Sequence, residues 1–379
     1  MLLKLGGMTT LEALAVSSGP AFTSRGPLST RLLHAFEYEL ATEETAGLSE
    51  TVEETVATCD DVLQDDDVQF SLFLLYGLSY GDVIPGGDAW EWHSGMIAAR
   101  RVLENAFEGG LRNTVSLPQS RSAHADDVAA TLFALTKPDS GPSLSRHFAT
   151  KVTQLQATEF VVQRSIYTLK EADPHSWAIP RLTGRAKAAL VEIQADEYGG
   201  GRPERMHSAI FAGTMRGLGL NTRYGAYVDH VPAITLASLN TMSLFGLQRR
   251  LRGALVGHLA AFEMTSSIPN RKYGDGFRRL GYGADVTRYF DEHVEADAVH
   301  EQIAARDLAG ALAAEEPALL DDILFGASAC LLVDGLMGQH MLDAWAAGRS
   351  SLRIPLPVPR AAERPAEEDV LAKGQSQNV

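Results

Sequence analysis

Residues 289–307 read YFDEHVEADAVHEQIAARD, a helix-forming run that combines many acids with two histidines. On a helix turning by roughly 100° per residue, with His293 at the origin, Asp297 falls at about +40° and His300 at about −20°. Tyr289, Phe290 and Ala304 flank that side. Asp291, Glu292, Glu295 and Arg306 lie on the other half, where water can hold them. An unpaired carboxylate on an apolar face costs several kcal/mol, so Asp297 needs a partner. A lone buried His–Asp pair could satisfy itself. Two histidines and a carboxylate on one stripe suit a metal such as Fe, Mn or Zn. One helix cannot complete such a site, so other helices must supply inward acids.

Glu263 stands in the apolar run GHLAAFEMTSS, about three turns or more from Arg250 and Arg252. An acid set so deep reads as a ligand or a catalytic group, while His258 falls on another face and reads as a core or supporting histidine. In VEIQADEYGGGRPERMHSAIF, Glu192, Asp196, Glu197, Glu204 and His207 compete. By spacing alone Glu204 and His207 lead, because Glu-x-x-His is the i, i+3 pairing by which one helix offers two ligands to a dimetal bundle. Gly199, Gly200, Gly201 and Pro203 weaken a helix there, and a locally unwound turn would bring Glu197 to the metal of His207 instead. Glu159 and Glu171 are further candidates without a lead. Glu171 precedes Asp173 and Pro174, which suggests a helix end at the surface.

The elements that must carry these residues are helical almost throughout. Apolar i, i+3/i+4 spacing predicts helices at about 145–170, 184–215, 232–267, 286–312 and 316–347, with no alternating strands or fixed-period repeat. STRLLHAFEYELA, DDDVQFSLFLLYGLSY and EWHSGMIAARRVLENAFEGGLR predict earlier helices, and the Pro/Ser/Gly breaks around Pro118 and 138–142 mark a junction. The fold class expected is all-α. The expected organisation is a flexible N-terminus over 1–25, an N-terminal helical region with a candidate dimerisation surface over 26–140, the metal domain over 141–350 and a Pro- and charge-rich disordered tail over 351–379.

The bulk properties narrow the partners. The 379 residues carry 33 Lys and Arg against 48 Asp and Glu, a net charge of −15, which disfavours nucleic acid. No window offers about 18 uncharged apolar residues, so no membrane span is expected. Glu12 interrupts the apolar start and Lys4 is its single positive charge, which argues against a secretory leader. Two distant cysteines, Cys59 and Cys330, without a C-x-x-C motif fit a reduced, cytoplasmic compartment.

Together, SIYTLKEADPHSWAIPRL, EIQADEYGGGRPERMH, GHLAAFEMTSS and HVEADAVHEQIAARDL resemble the haem-oxygenase-like diiron oxidases and oxygenases, often called iron-containing redox enzymes. The resemblance covers about 145–345. It implies a haem-oxygenase-like bundle of about seven core helices holding two iron ions (Fe2+/Fe3+) instead of haem, with O2 as co-substrate. Carried over residue by residue, it makes Glu171, Glu197, His207, Glu263, His293, Asp297 and His300 the ligands. It thereby overrules the spacing preference for Glu204, which stays the named alternative to Glu197, as Glu159 does to Glu171. Gly77 and Ser79 depart from the acid and His that many relatives carry, outside the metal set.

The function so implied is O2-dependent oxidation of a small amine or amino-acid-like metabolite in specialised biosynthesis. N-oxygenation leads, with oxidative desaturation or C–C cleavage of an amino acid or fatty acid as the alternatives. An external electron donor and a homodimer complete the expectation. Three rivals are weaker. A His–Asp phosphohydrolase needs a His-Asp dipeptide, which this chain lacks. A non-enzymatic helical partner-binding protein leaves the inward acids unexplained. A haem protein is poorly served by a ring of carboxylates.

Overall fold

Helix-stopping and helix-starting chemistry divides the chain into short rods. A computed structural model describes residues 22–37, 47–81, 83–84, 86–119, 122–137 and 141–357, except for the side chains of 295–298. Helices α1 (Pro27–Glu37), α2 (Leu48–Thr58), α3 (Asp66–Tyr80), α4 (Ser94–Thr114) and α5 (Ala125–Leu135) form the N-terminal region. Asp65 caps α3 by accepting from the Val68 amide, and Gly81 ends it in the left-handed region at φ 88°.

The remainder comprises α6 (Leu144–Lys151), α7 (Gln154–Thr168), α8 (Asp173–Ser176), α9 (Gly184–Glu197), α10 (His207–Gly217), α11 (Ala233–Leu247) and α12 (Arg252–Met264). Then follow α13 (Ser267–Arg279), α14 (Ala284–Gln302), a π-helical stretch (Ile303–Gly310), α15 (Ala311–Glu315) and α16 (Leu320–Ala346). No strand occurs among the described residues, and the fold is an all-α, haem-oxygenase-like bundle. The helix expected over 145–170 is broken by a capping box, in which Thr153 and Gln156 satisfy each other's backbone amides.

α11 is apolar on every face and is buried along nearly its whole length, as such a helix must be. It packs against α3, α7, α12 and α16, so the N-terminal region joins the core through α3, as it also does through α5 against the π-helical stretch. The tightest crossing is α12 on α16. A Cβ on Gly257 would lie 1.8 Å from the Ile323 carbonyl oxygen, and one on Gly326 would lie 1.9 Å from that of Ala254. Glycine at both points lets the two backbones touch. α10, α13 and the π-helical stretch gather around α14, which brings the acid-rich helix against the rest of the core. No described helix is long and apolar enough to cross a membrane.

Residues 351–357 of the expected tail are described, and Ser351 and Leu352 there are buried. Residues 358–379 and 1–21 lie outside the described residues.

Candidate metal centre

The site is assembled from helix ends. Glu197 is the last residue of α9 and His207 the first of α10. Between them Gly199, Gly200 and Gly201 all adopt left-handed φ values of 68°, 60° and 78°. At Gly199 any Cβ would sit 2.6 Å from the Arg205 carbonyl carbon, so the chain can only fold back here on glycine. This reversal sets Glu197 Oε2 2.8 Å from His207 Nδ1, both residues buried. Glu204 falls in a separate 3-10 turn and is exposed. The i, i+3 preference for Glu204 is therefore corrected: its premise, a continuous helix through both residues, does not hold.

Glu171 is also relocated. It is buried rather than at the surface, on the turn between α7 and α8. The next residue, Ala172, adopts φ 75°, a conformation costly for a residue with a Cβ. Gln194 steadies that turn by donating to the Ala172 carbonyl at 2.8 Å. The Tyr289 hydroxyl lies 2.8 and 3.0 Å from the two Glu171 oxygens and donates to that carboxylate. Glu159 is buried elsewhere, accepting hydrogen bonds from Trp345 Nε1 and from Ser350 and Ser351. It ties α7 to the segment after α16 and takes no part in the cluster.

From α14, His293 directs Nδ1 to the Tyr289 carbonyl at 2.8 Å and Nε2 towards Glu171 at 3.5 Å. His300 directs Nε2 to Asp196 at 3.1 Å and Nδ1 towards Glu263 of α12 at 3.4 Å. Each histidine thus has one nitrogen held and the other facing a carboxylate, the arrangement that fixes a metal-binding imidazole. Asp297 lies on α14, but its side chain is outside those described.

These side chains form two buried groups. Glu171, Glu197, His207 and His293 each bring one donor atom within 4.8 Å of the others. Glu197, Glu263 and His300 do the same, so Glu197 belongs to both groups. Whether a metal suits them is tested by the bonds they fail to make. Glu197 Oε2, His207 Nδ1 and His300 Nδ1 are buried without a hydrogen bond, although the first two are in near contact. Two ligands at about 2.0–2.2 Å from one ion, at right angles, stand about 3 Å apart. The observed spacings of 2.8 to 3.5 Å are of that order. Glu197 Oε2, His207 Nδ1 and His300 Nδ1, which make no hydrogen bond, face positions that an ion could occupy.

Electrostatics agree. Burial raises the pKa of Glu263, and the like charge of Glu197 adds to it, while the facing His300 opposes both. Burial disfavours charge on His300, but Glu263 and Asp196 overcome this and raise it to about 9. Cations would relieve the repulsion among the carboxylates. Behind the cluster, His175 Nε2 meets His258 Nδ1 at 3.2 Å, and burial holds His175 at about 3 and His258 well below its ordinary value. His258 is thus a buried histidine of the core, as its helix face suggests. Neither His175 nor the supporting role of Tyr289 is signalled by sequence spacing, because their partners lie on other helices.

The comparisons with known proteins fall on this region. Residues 158–335 match the model of the iron-containing redox enzymes. That segment is similar to the iron-containing redox enzymes. It contains all seven residues expected as ligands. The chain is also similar to the nitrosourea synthase of Streptomyces achromogenes subsp. streptozoticus, 28% identical over 149 residues. That match covers 39% of this chain and 31% of the relative, so the chain spans less than a third of that protein.

Proposed function

We propose that this chain is an O2-activating non-haem diiron oxidoreductase that oxidises a small amine or amino-acid-like metabolite, with N-oxygenation as its reaction. The observation that carries the reading is Glu197, the one carboxylate among the described residues common to both buried groups, which would be the ligand two ions share. Glu171, His207 and His293 would complete one site, and Glu263 and His300 the other, with Asp297 beside them on α14. Held by these residues, ferrous iron would supply the redox chemistry for O2, and an external donor would return the electrons used.

The chain's own residues position and enclose. Tyr289 orients Glu171, the Tyr289 carbonyl orients His293, and Asp196 orients His300. The space among Tyr167, Glu171, Glu197, Glu263 and His293 amounts to ≈ 10 Å³, at the margin of what one water needs. Bulk water is thereby kept from the cluster. Nitrogen as the atom oxidised is supported by the name of the similar relative, whose nitrosourea product contains oxidised nitrogen.

The test is anaerobic loading of the purified chain with Fe(II), an iron count, and then exposure to O2. About two irons per folded chain and a transient visible absorption are expected. A folded chain that binds fewer than two irons overturns the diiron reading.

A further inference from the structure

A second cavity adjoins the cluster and differs from it in character. It has a volume of ≈ 240 Å³ and shares Phe262 and Ser266 with the small space among the candidate ligands. Its lining includes Arg164 from α7, Asn270 and Tyr273 from α13, and Asp334 from α16. The cluster space itself is too small for any organic molecule, and this larger cavity meets it at Phe262 and Ser266.

The two charged groups of this cavity are unusual in what they leave unmade. Arg164 makes no hydrogen bond and no ion pair among the described residues, and its guanidinium stands over the face of Phe262, 6.0 Å from the ring centroid. Asp334 accepts one long hydrogen bond, from Ser238 at 3.4 Å. The two are not paired with each other, although each feels the other's charge. A guanidinium has five donors in a planar fork matched to a carboxylate. Leaving that fork unused in a partly buried cavity is costly unless a ligand completes it. Asp334, facing the same space, supplies the opposite charge.

We propose that this cavity is the substrate chamber and that it recognises the head group of an α-amino acid. Arg164 binds the carboxylate, Asp334 binds the ammonium group, and the side chain points past Phe262 and Ser266 to the cluster. The proposal rests on the reading of that cluster as catalytic and names the class of molecule it acts on. A volume of ≈ 240 Å³ suits an amino-acid-sized metabolite and falls short of the usual range for larger ligands. A fatty acid would use Arg164 and leave Asp334 buried beside an aliphatic chain. A simple amine would do the reverse.

Three probes separate these cases: L-norleucine carries both charges, hexanoate the carboxylate alone and pentylamine the ammonium alone. Binding is measured by calorimetry on the full chain, both loaded with Fe(II) under anaerobic conditions and stripped by chelator. Norleucine is expected to bind at least about tenfold more tightly than either single-charge probe, since each charge-assisted contact is lost in turn. Arg164→Ala should abolish the preference over pentylamine and Asp334→Asn the preference over hexanoate, and Arg164→Lys should restore part of the former. Circular dichroism confirms that each variant is folded, and an unchanged iron content confirms that the cluster is intact. Hexanoate binding as well as norleucine, pentylamine binding best, or no norleucine binding by the folded chain overturns the proposal. A chain with two irons and no norleucine preference refutes the chamber but retains the diiron reading. A chain that shows the preference but takes up no iron does the opposite.

Discussion

Replacing Glu197 by alanine should empty both metal positions, whereas replacing His300 should empty one. Among the described residues the two groups of converging donors share Glu197 and nothing else. In the first, Glu171 and Glu197 are the carboxylates; in the second, Glu197 and Glu263 are. Loss of Glu197 therefore halves the described negative charge facing each ion and removes the atom nearest His207. Removing a residue that merely supports a ligand costs about 10–100-fold in metal affinity. Losing a shared ligand should exceed the upper end of that range at both positions, which is more than about 2.7 kcal/mol each.

The assay is anaerobic loading with ferrous iron, desalting against a weak chelator, and measurement of iron per chain. Wild type should retain about two irons, His300→Ala about one, and Glu197→Ala essentially none. Glu204→Ala should match wild type, because Glu204 is exposed on its own turn. Two irons retained by folded Glu197→Ala would refute the bridging argument. Loss of iron in Glu204→Ala would show that the glycine turn opens differently when metal binds.

Glu159→Ala should destabilise the fold by about 3 kcal/mol or more, because four hydrogen bonds to a buried carboxylate disappear. Denaturant unfolding would show this, and the iron content of the folded fraction should stay at the wild-type value. Tyr289→Phe removes the hydroxyl that orients Glu171 but keeps the ring packed on Phe211. Iron affinity should fall by roughly 10–100-fold with little change in melting temperature, and an unchanged affinity would count against a role for the hydroxyl. Glu108 lies between Arg112 and Arg250; burial would raise its pKa, but these two guanidinium groups hold it below the ordinary 4.5. Its folded value lies below its unfolded one, so its stabilisation is complete above about pH 4.5 and fades as pH falls through the folded value. The stability gap between wild type and Glu108→Gln should accordingly close on acidification, and a gap independent of pH would refute the assignment.

Much of this architecture is legible in the residues alone. Apolar spacing is a local property, so the helical class could be read without any partner in view. The stripe of His293, Asp297 and His300 depends only on helical turn, and for His293 and His300 the structure shows both side chains facing carboxylates of other elements. Glu263 stands out because an acid is costly in so apolar a run, and it is indeed buried.

Other features depend on contacts between distant parts of the chain. The choice between Glu197 and Glu204 turns on the left-handed backbone of three consecutive glycines, which bends one helix back onto the next and cancels the i, i+3 logic. Glu171 looks like a surface residue until Tyr289 and His293 cover it. Glu159 looks equally eligible until Trp345 and Ser351 claim its oxygens. Arg164 and Asp334 carry no signal in their own neighbourhoods and acquire one only by facing a common cavity. Residue type and helical period set which groups can bind a metal. Where the chain reverses, and which helix lies opposite, decides which of them meet.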